Sequence, residues 1–205
     1  MQFAIKLQKN EPFSYVGKTV SIRTLLPTDA TLIHSWMQEK FFYYYKPYLK
    51  SICPTQSLLA QRIKAQTSLE PPFEIEALVL QHHLDKPIGI IALSNIDNTN
   101  LKAEFSVAFR SGLCTRCVAE TIAFIFQQAF STLKFNKLYF YITSDNSRIL
   151  KMLKRYNFMY EGLLHEELLS ENGEWLDLHR FCILRRDWTQ NPLFKKLIHI
   201  TEALK

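Results

Sequence analysis

Residues 103–162 constrain the fold most, because strand and helix signals alternate through them with only short breaks. Residues 105–109 are apolar and rich in β-formers, and residues 111–116 read as a loop. Residues 118–133 place Val118, Ile122, Ile125, Ala129 and Leu133 at helical spacing. Residues 138–142 read as a short buried strand. Residues 146–156 read as a second helix, with Ile149, Leu150 and Leu153 on one face. A strand, a loop rich in backbone donors and a helix start together make an anion site, because first-turn N–H groups have no partner inside the helix. A phosphate-bearing ligand is the expected class.

The remaining chain builds a sheet around this stretch. Residues 1–18 read as irregular, with Pro12 and Gly17 as breakers, and residues 19–25 as a first strand. Thr28 or Asp29 caps a helix expected to run to about Glu39. Residues 41–48 are an aromatic cluster closed by Pro47, open to two readings: core packing around a loop, or the wall of a groove. A second helix covers residues 54–67. Strands at 73–83, 87–96 and 101–110 form a meander, and residues 163–169 and 178–186 form a hairpin. In the tail, Asn191 caps an amphipathic helix with Pro192 in its first turn and Leu193, Phe194, Leu197, Ile198 and Leu204 on its apolar side. That helix could dock on its own sheet, join two subunits as a homodimer, or touch a partner.

A chain of 205 residues suits one domain, residues 1–205. With 47% hydrophobic and 21% charged residues it is ordinary globular material, neither disordered nor membrane-embedded. No apolar run reaches the roughly 20 residues that span a bilayer. Residues 1–13 lack the apolar core of a signal peptide, so the cytoplasm, with reduced thiols, is the default. A net charge of +6 and a pI near 9.1 favour acidic partners: a phosphorylated cofactor, an acidic peptide or nucleic acid, the last as association with a ribosome or RNA. The basic residues are scattered, which equally describes a solvated surface. Cys114 and Cys117 form a single CxxC, and Cys53 and Cys182 lie far away, so no zinc site and no other metal is expected. His34, His165 and His179 have no nucleophile arranged with them.

Glu120, Phe130, Asn146, Phe158, Glu161 and Gly162 stand in a particular register, with Asn146 sixteen residues after Phe130. That register resembles the GCN5-related N-acetyltransferase (GNAT) superfamily, and within it the ribosomal-protein N-terminal acetyltransferases. The Asn-Gly-Glu-Trp-Leu-Asp of residues 172–177, Trp188, and the opening Val-Ser-Ile-Arg of residues 20–23 extend the likeness over roughly residues 18–188, leaving 189–205 as a helical tail. The resemblance implies an α/β (α+β) fold: a mixed, mostly antiparallel sheet of about seven strands flanked by helices. It implies acetyl-CoA as co-substrate and a primary amine as acceptor, in that branch a protein N-terminus.

The resemblance also distributes roles. Val107, Ala108 and Phe109 would meet the pantetheine; Cys114, Thr115, Arg116, Cys117, Val118 and Ala119 would hold the pyrophosphate; and Asn146 would bond the pantetheine arm or simply cap its helix. Glu104 would be the general base, and Tyr156 or Ser147 the general acid. Tyr43, Tyr44 and Tyr45 would line the acceptor. Transfer from a thioester needs the reactants held together, a proton removed and an oxyanion stabilised by a backbone N–H. The family's two loop glycines are here Cys114 and Arg116, its later Gly is Asn157, and its helical Tyr is Leu153. A second reading is therefore a weakened or inactive GNAT-fold module that binds CoA or protein.

Overall fold

The structure, a computed structural model, describes residues 13–43, 45–69, 72–82, 84, 86–110, 115–170 and 172–202, without the side chains of 40, 43 and 200–202. The strands are β1 (Tyr15–Val16), β2 (Val20–Thr24), β3 (Ile75–Gln81), β4 (Lys86–Asp97), β5 (Lys102–Phe109), β6 (Lys137–Thr143), β7 (Met159–Leu169) and β8 (Trp175–Leu184). The helices are α1 (Ala30–Trp36), α2 (Lys40–Tyr43), α3 (Leu49–Ile52), α4 (Gln56–Thr67), α5 (Thr115–Gln127), α6 (Ser147–Arg155) and α7 (Pro192–Glu202). The strands form one sheet in the order β1-β2-β3-β4-β5-β6-β8-β7, antiparallel except for β5 against β6. Among the described residues no helix is long and apolar enough to cross a membrane.

Side-chain alternation sorts the strands' apolar residues between two cores. Ala77, Val79, Ile91 and Leu93 face α5, α6 and α7, together with Leu138, Phe140, Phe181 and Ile183. Leu78, Ile90, Ala92 and Ala108 face α1 to α4, against Ile33, Trp36, Leu59 and Ile63. Residues 88–94 of β4 are therefore buried without interruption. The helix pair α1 and α4 covers only the β2–β5 half of its face. Over β6 and β8 that face carries Tyr139, Tyr141, Arg180 and Cys182, on the side opposite Phe140 and Phe181.

Several boundaries differ from the sequence reading. The sheet has eight strands rather than about seven, because Tyr15–Val16 pairs with β2. What holds that segment is Tyr15, which stacks on Phe124 of α5 with ring centroids 4.6 Å apart. The first helix stops at Trp36, three residues short of Glu39, and gives way to turn bonds from Gln38 to Ser35 and Glu39 to Trp36. Part of the aromatic cluster is helical, as α2, where a loop was expected. Helix α5 begins at Thr115, earlier than residue 118, so Arg116 has helical backbone. It ends in a π turn, Gln128–Thr132, whose wide bond from Leu133 N–H to Gln128 keeps both Phe130 and Leu133 buried.

The tail helix docks on α5. Phe194 is 3% exposed, lies 4.1 Å from Trp188 by ring centroids and stacks on Phe126. Asn191 locks the entry: its Oδ1 accepts from Leu193 N–H, and its Nδ2 donates to the carbonyl of Tyr156 at 2.9 Å.

Candidate functional site

The site begins where two neighbouring strands part. β5 and β6 pair in parallel only at Lys102↔Lys137, Ala103↔Leu138 and Glu104↔Tyr139. Beyond that rung β6 continues against β8 to Thr143, while β5 continues against β4 to Phe109. Phe105, the first residue past the split, packs against both Phe140 of β6 and Phe126 of α5, at 6.4 and 5.4 Å between ring centroids. One backbone edge of residues 105–109 is thus left without a strand partner among the described residues. Val107 and Phe109 are half-buried beside the opening, and Ala108 is buried in the α1–α4 core.

Two helix starts follow the two diverging strands. Thr115, Arg116, Cys117 and Val118 form the first turn of α5, so their N–H groups lack intrahelical partners. Cys117 and Ala119 are buried, and Thr115 and Arg116 are exposed. Cys114 lies outside the described residues. At α6, Asn146 is the N-cap and accepts from Ile149 N–H at 3.4 Å; Ser147 follows it, exposed. Tyr156 sits at the opposite end of α6, its hydroxyl 3.4 Å from Lys196 Nζ on the tail helix. It is not brought together with Glu104. Leu153 is buried in the core.

Glu104 occupies the last shared rung. Its Oε2 accepts from Asn95 Nδ2 at 2.9 Å. Asn95 reaches it from a bulge in β4, with left-handed backbone at φ 49°. Burial lifts the Glu104 carboxyl above its ordinary range, outweighing the Asn95 bond and the charges of Lys46 and Arg180. A carboxylate of that kind is a better proton acceptor near neutrality.

Behind Glu104 lies a buried ionic cluster. Lys46, 4% exposed, bonds Glu74 and, at 2.8 Å, Glu76. Arg62 bonds the same two carboxylates at 2.7 and 2.8 Å. Ser94 donates to Glu74, and Tyr45 donates to Glu76 at 3.1 Å. Burial works against the Glu76 charge, but the two cations outweigh it and hold its carboxyl below the ordinary range. Tyr45 therefore turns inward and spends its hydroxyl on the cluster instead of lining a groove. Tyr44 and the side chain of Tyr43 lie outside the described residues.

Sequence reasoning did not single out Asn95, Lys46, Tyr139, Tyr141 or Arg180. The alternation in residues 137–143 was the available signal. Leu138, Phe140 and Ile142 face the core, and Lys137, Tyr139, Tyr141 and Thr143 face the other way. The strand had been read as simply buried. Glu120, noted only as a motif residue, has a clear task. It accepts from Tyr15 Oη, Lys18 N, Thr19 N and Thr19 Oγ1, pinning the β1–β2 connection to α5.

A family model described as an acetyltransferase (GNAT) domain matches residues 22–179. The chain belongs to the GNAT family. Its sequence is also 26% identical, over 106 residues, to spermidine N(1)-acetyltransferase of Escherichia coli K12, covering 49% of this chain and 54% of that protein. The chain thus spans about half the length of the curated relatives it matches. Among solved structures, a spermidine/spermine N-acetyltransferase from Vibrio cholerae, crystallised with manganese ions, superposes with a TM-score of 0.69 at 20% identity, covering 84% of this chain and 96% of that one. A GCN5-related N-acetyltransferase from Brucella melitensis superposes at 0.68 and 16% identity, over 93% and 86%. These likenesses establish the GNAT fold: a mixed α/β arrangement around the eight-stranded sheet. The relatives named for a substrate act on spermidine, so membership of the ribosomal-protein branch does not follow from them.

Proposed function

We propose that this GNAT protein is an acetyl-CoA-dependent N-acetyltransferase, moving an acetyl group to a primary amine by direct transfer in a ternary complex. The observation that carries the reading is Glu104, a partly buried carboxylate on the rung where β5 and β6 separate. A base at that point would take the amine's proton, and the unpaired edge of β5 beside it would hold the co-substrate's extended arm.

The residues present fit the co-substrate. The free edge of residues 105–109 offers backbone donors and acceptors to an extended amide-bearing arm. Thr143 Oγ1, at the end of β6, is buried with no hydrogen-bond partner among the described residues, and such an atom suits a polar ligand. The first-turn amides of α5 suit a pyrophosphate, and the exposed Arg116 guanidinium on that turn adds a charge-assisted donor. When bound, acetyl-CoA supplies an acetyl group already activated as a thioester. Glu104 takes a proton from the acceptor's ammonium, directly or through a water, so that the neutral amine attacks, and Asn95 holds the carboxylate in place. With Leu153 at the family's Tyr position and Tyr156 facing the tail, water is the simplest proton source for the departing thiolate. Polyamines and protein N-termini are both candidate acceptors within this reading.

Calorimetry with acetyl-CoA, followed by thiol release with a panel of primary amines including spermidine and short peptides, tests the proposal. Binding with turnover on at least one amine is expected. Binding without turnover on any of them would favour a CoA-binding module, and no binding would remove the enzyme reading altogether.

A further inference from the structure

The face of β6 and β8 that begins at Glu104 carries cations as well as carboxylates. Tyr139 stands opposite Glu104 in the parallel rung, so both side chains leave the same side of the sheet. Arg180 of β8 pairs across from Tyr141 and leans over Tyr139, its guanidinium 4.3 Å from the Tyr139 ring centroid and 5.6 Å from that of Tyr141. Such stacking holds the guanidinium flat and in place. Arg180 spends only its Nε, on Glu161 Oε2 at 3.0 Å. Its Nη1 and Nη2 donate to nothing among the described residues, and its side chain keeps 31% of its surface exposed. Lys137 takes the other oxygen of Glu161.

The charges on this face are ordered. Glu104 makes one end negative, with Glu74 behind it neutralised by Lys46 and Arg62. Arg180 and Lys137 make the other end positive around the single Glu161. Glu167 also bears on Tyr141, but it is exposed and screened by water. A polycation would meet Glu104 and then Arg180 and Lys137, which share Glu161. A molecule with an amine at one end and an anion at the other would match both ends. A planar carboxylate fits the two idle guanidinium nitrogens as a bidentate pair.

We propose that the acceptor is a zwitterion: an amine that also carries a carboxylate, as a free amino acid or the free end of a short peptide does, with its carboxylate seated on Arg180. This rests on the acetyltransferase reading and narrows its acceptor. It also separates the chain from its spermidine-acetylating relatives by substrate charge.

The test compares each acceptor with its own amide. Free L-amino acids and dipeptides are assayed beside the same molecules with the carboxylate converted to a carboxamide, and beside spermidine. Wild type, Arg180→Gln and Arg180→Lys are used, each checked for an unchanged circular dichroism spectrum and acetyl-CoA affinity. In wild type, removing the carboxylate should lower kcat/KM at least tenfold, mainly through KM, for amino acids if they are the source and for dipeptides if those are. Arg180→Gln should lose that preference, turning over acid and amide alike. Arg180→Lys should recover part of it, since it keeps the charge and loses the fork. Equal use of acid and amide by wild type would overturn the proposal, as would spermidine as the better acceptor. Because no turnover with any amine would speak against the enzyme reading instead, the acids and amides are also titrated calorimetrically into the acetyl-CoA complex. Tighter binding of the acid by wild type but not by Arg180→Gln supports the proposal, and its absence there refutes it.

Discussion

Glu120→Gln should unfold the protein at a lower temperature, and the size of the effect should depend on pH. Glu120 is 3% exposed. Its Oε1 accepts from Tyr15 Oη at 2.9 Å and Lys18 N at 2.8 Å, and its Oε2 from Thr19 N at 2.8 Å and from Thr19 Oγ1. A glutamine keeps the shape but turns one oxygen into a donor. Thr19 Oγ1 can rotate to accept, but the Thr19 N–H is then orphaned, which costs about 1–3 kcal/mol. The two bonds left on the remaining oxygen fall from charge-assisted to neutral strength, each losing about 1 kcal/mol. The sum is roughly 3–5 kcal/mol, and at about 2–4 °C per kcal/mol for a chain of this size the melting temperature should fall by about 6–20 °C.

The pH dependence follows from the same bonds. Burial opposes the Glu120 charge, but the donors on Thr19, Lys18 and Tyr15 outweigh it and hold the carboxyl below its ordinary value near 4.5. A depressed carboxyl contributes stability above its unfolded pKa and loses it as pH falls through the folded one. Glutamine has no such titration. The difference in melting temperature should therefore be greatest at pH 7 and shrink below pH 4.5. Calorimetric melts of both proteins at pH 7 and pH 3.5 read this directly. An undiminished gap at pH 3.5, or no gap at pH 7, would refute the assignment of the carboxylate as the anchor.

Glu104→Gln should do the reverse: with its folded pKa raised, the wild-type carboxylate costs stability as pH rises through that pKa, so the variant should melt higher at neutral pH while turnover falls and acetyl-CoA affinity holds. In wild type, kcat/KM should drop as pH falls through the same raised pKa; a profile flat through the acid range would remove Glu104 as base. Lys46→Met leaves Glu74 and Glu76 sharing one guanidinium and should cost about 3–5 kcal/mol in denaturant melts, whereas a neutral effect would mean that the cluster relaxes to water. Phe194→Ala empties a site between Trp188 and Phe126 and should cost about 3–5 kcal/mol; an unchanged midpoint would show that α7 is not bound to α5 in solution.

Much of the scaffold was legible because periodicity and capping are local signals. Asn146 caps α6 at the residue where the sequence marks it, and Thr55 caps α4, by accepting from Leu58 N–H, within the start that the sequence gives for that helix. Glu104 was reachable only through the family register, since a carboxylate in a strand reads equally well as a surface charge. The Lys46–Glu74–Glu76–Arg62 cluster was not legible at all. Its partners come from a turn, a strand entry and a helix far apart in sequence, and charged residues ordinarily signal solvent. Tyr45 was misread as part of a groove wall for the same reason, because its hydroxyl partner, Glu76, lies across the fold. Arg116 posed a question that helical backbone answers. A glycine's freedom at that position is not needed once α5 begins at Thr115, so its replacement carries no backbone strain there.

The position of Glu104, the proposed base, follows from where α1 and α4 stop covering the sheet. α1 and α4, fastened to β3 through Arg62 and the two buried glutamates, protect the face as far as β5. One strand further, β6 places Tyr139 and Tyr141 on that face where β4 places Ile90 and Ala92. Glu104 stands on that border and at the fork of β5 and β6 together. It is buried enough for its pKa to rise, and the strand edge beyond it has no β6 partner. A carboxylate two residues further along, at Ser106, would lie past the fork, with no β6 rung to fix it. One beside Ile91 would be sealed between helices in the core. The fork and the edge of the α1–α4 cover coincide at Glu104, so the fold offers that partly buried carboxylate as the place for the proposed base.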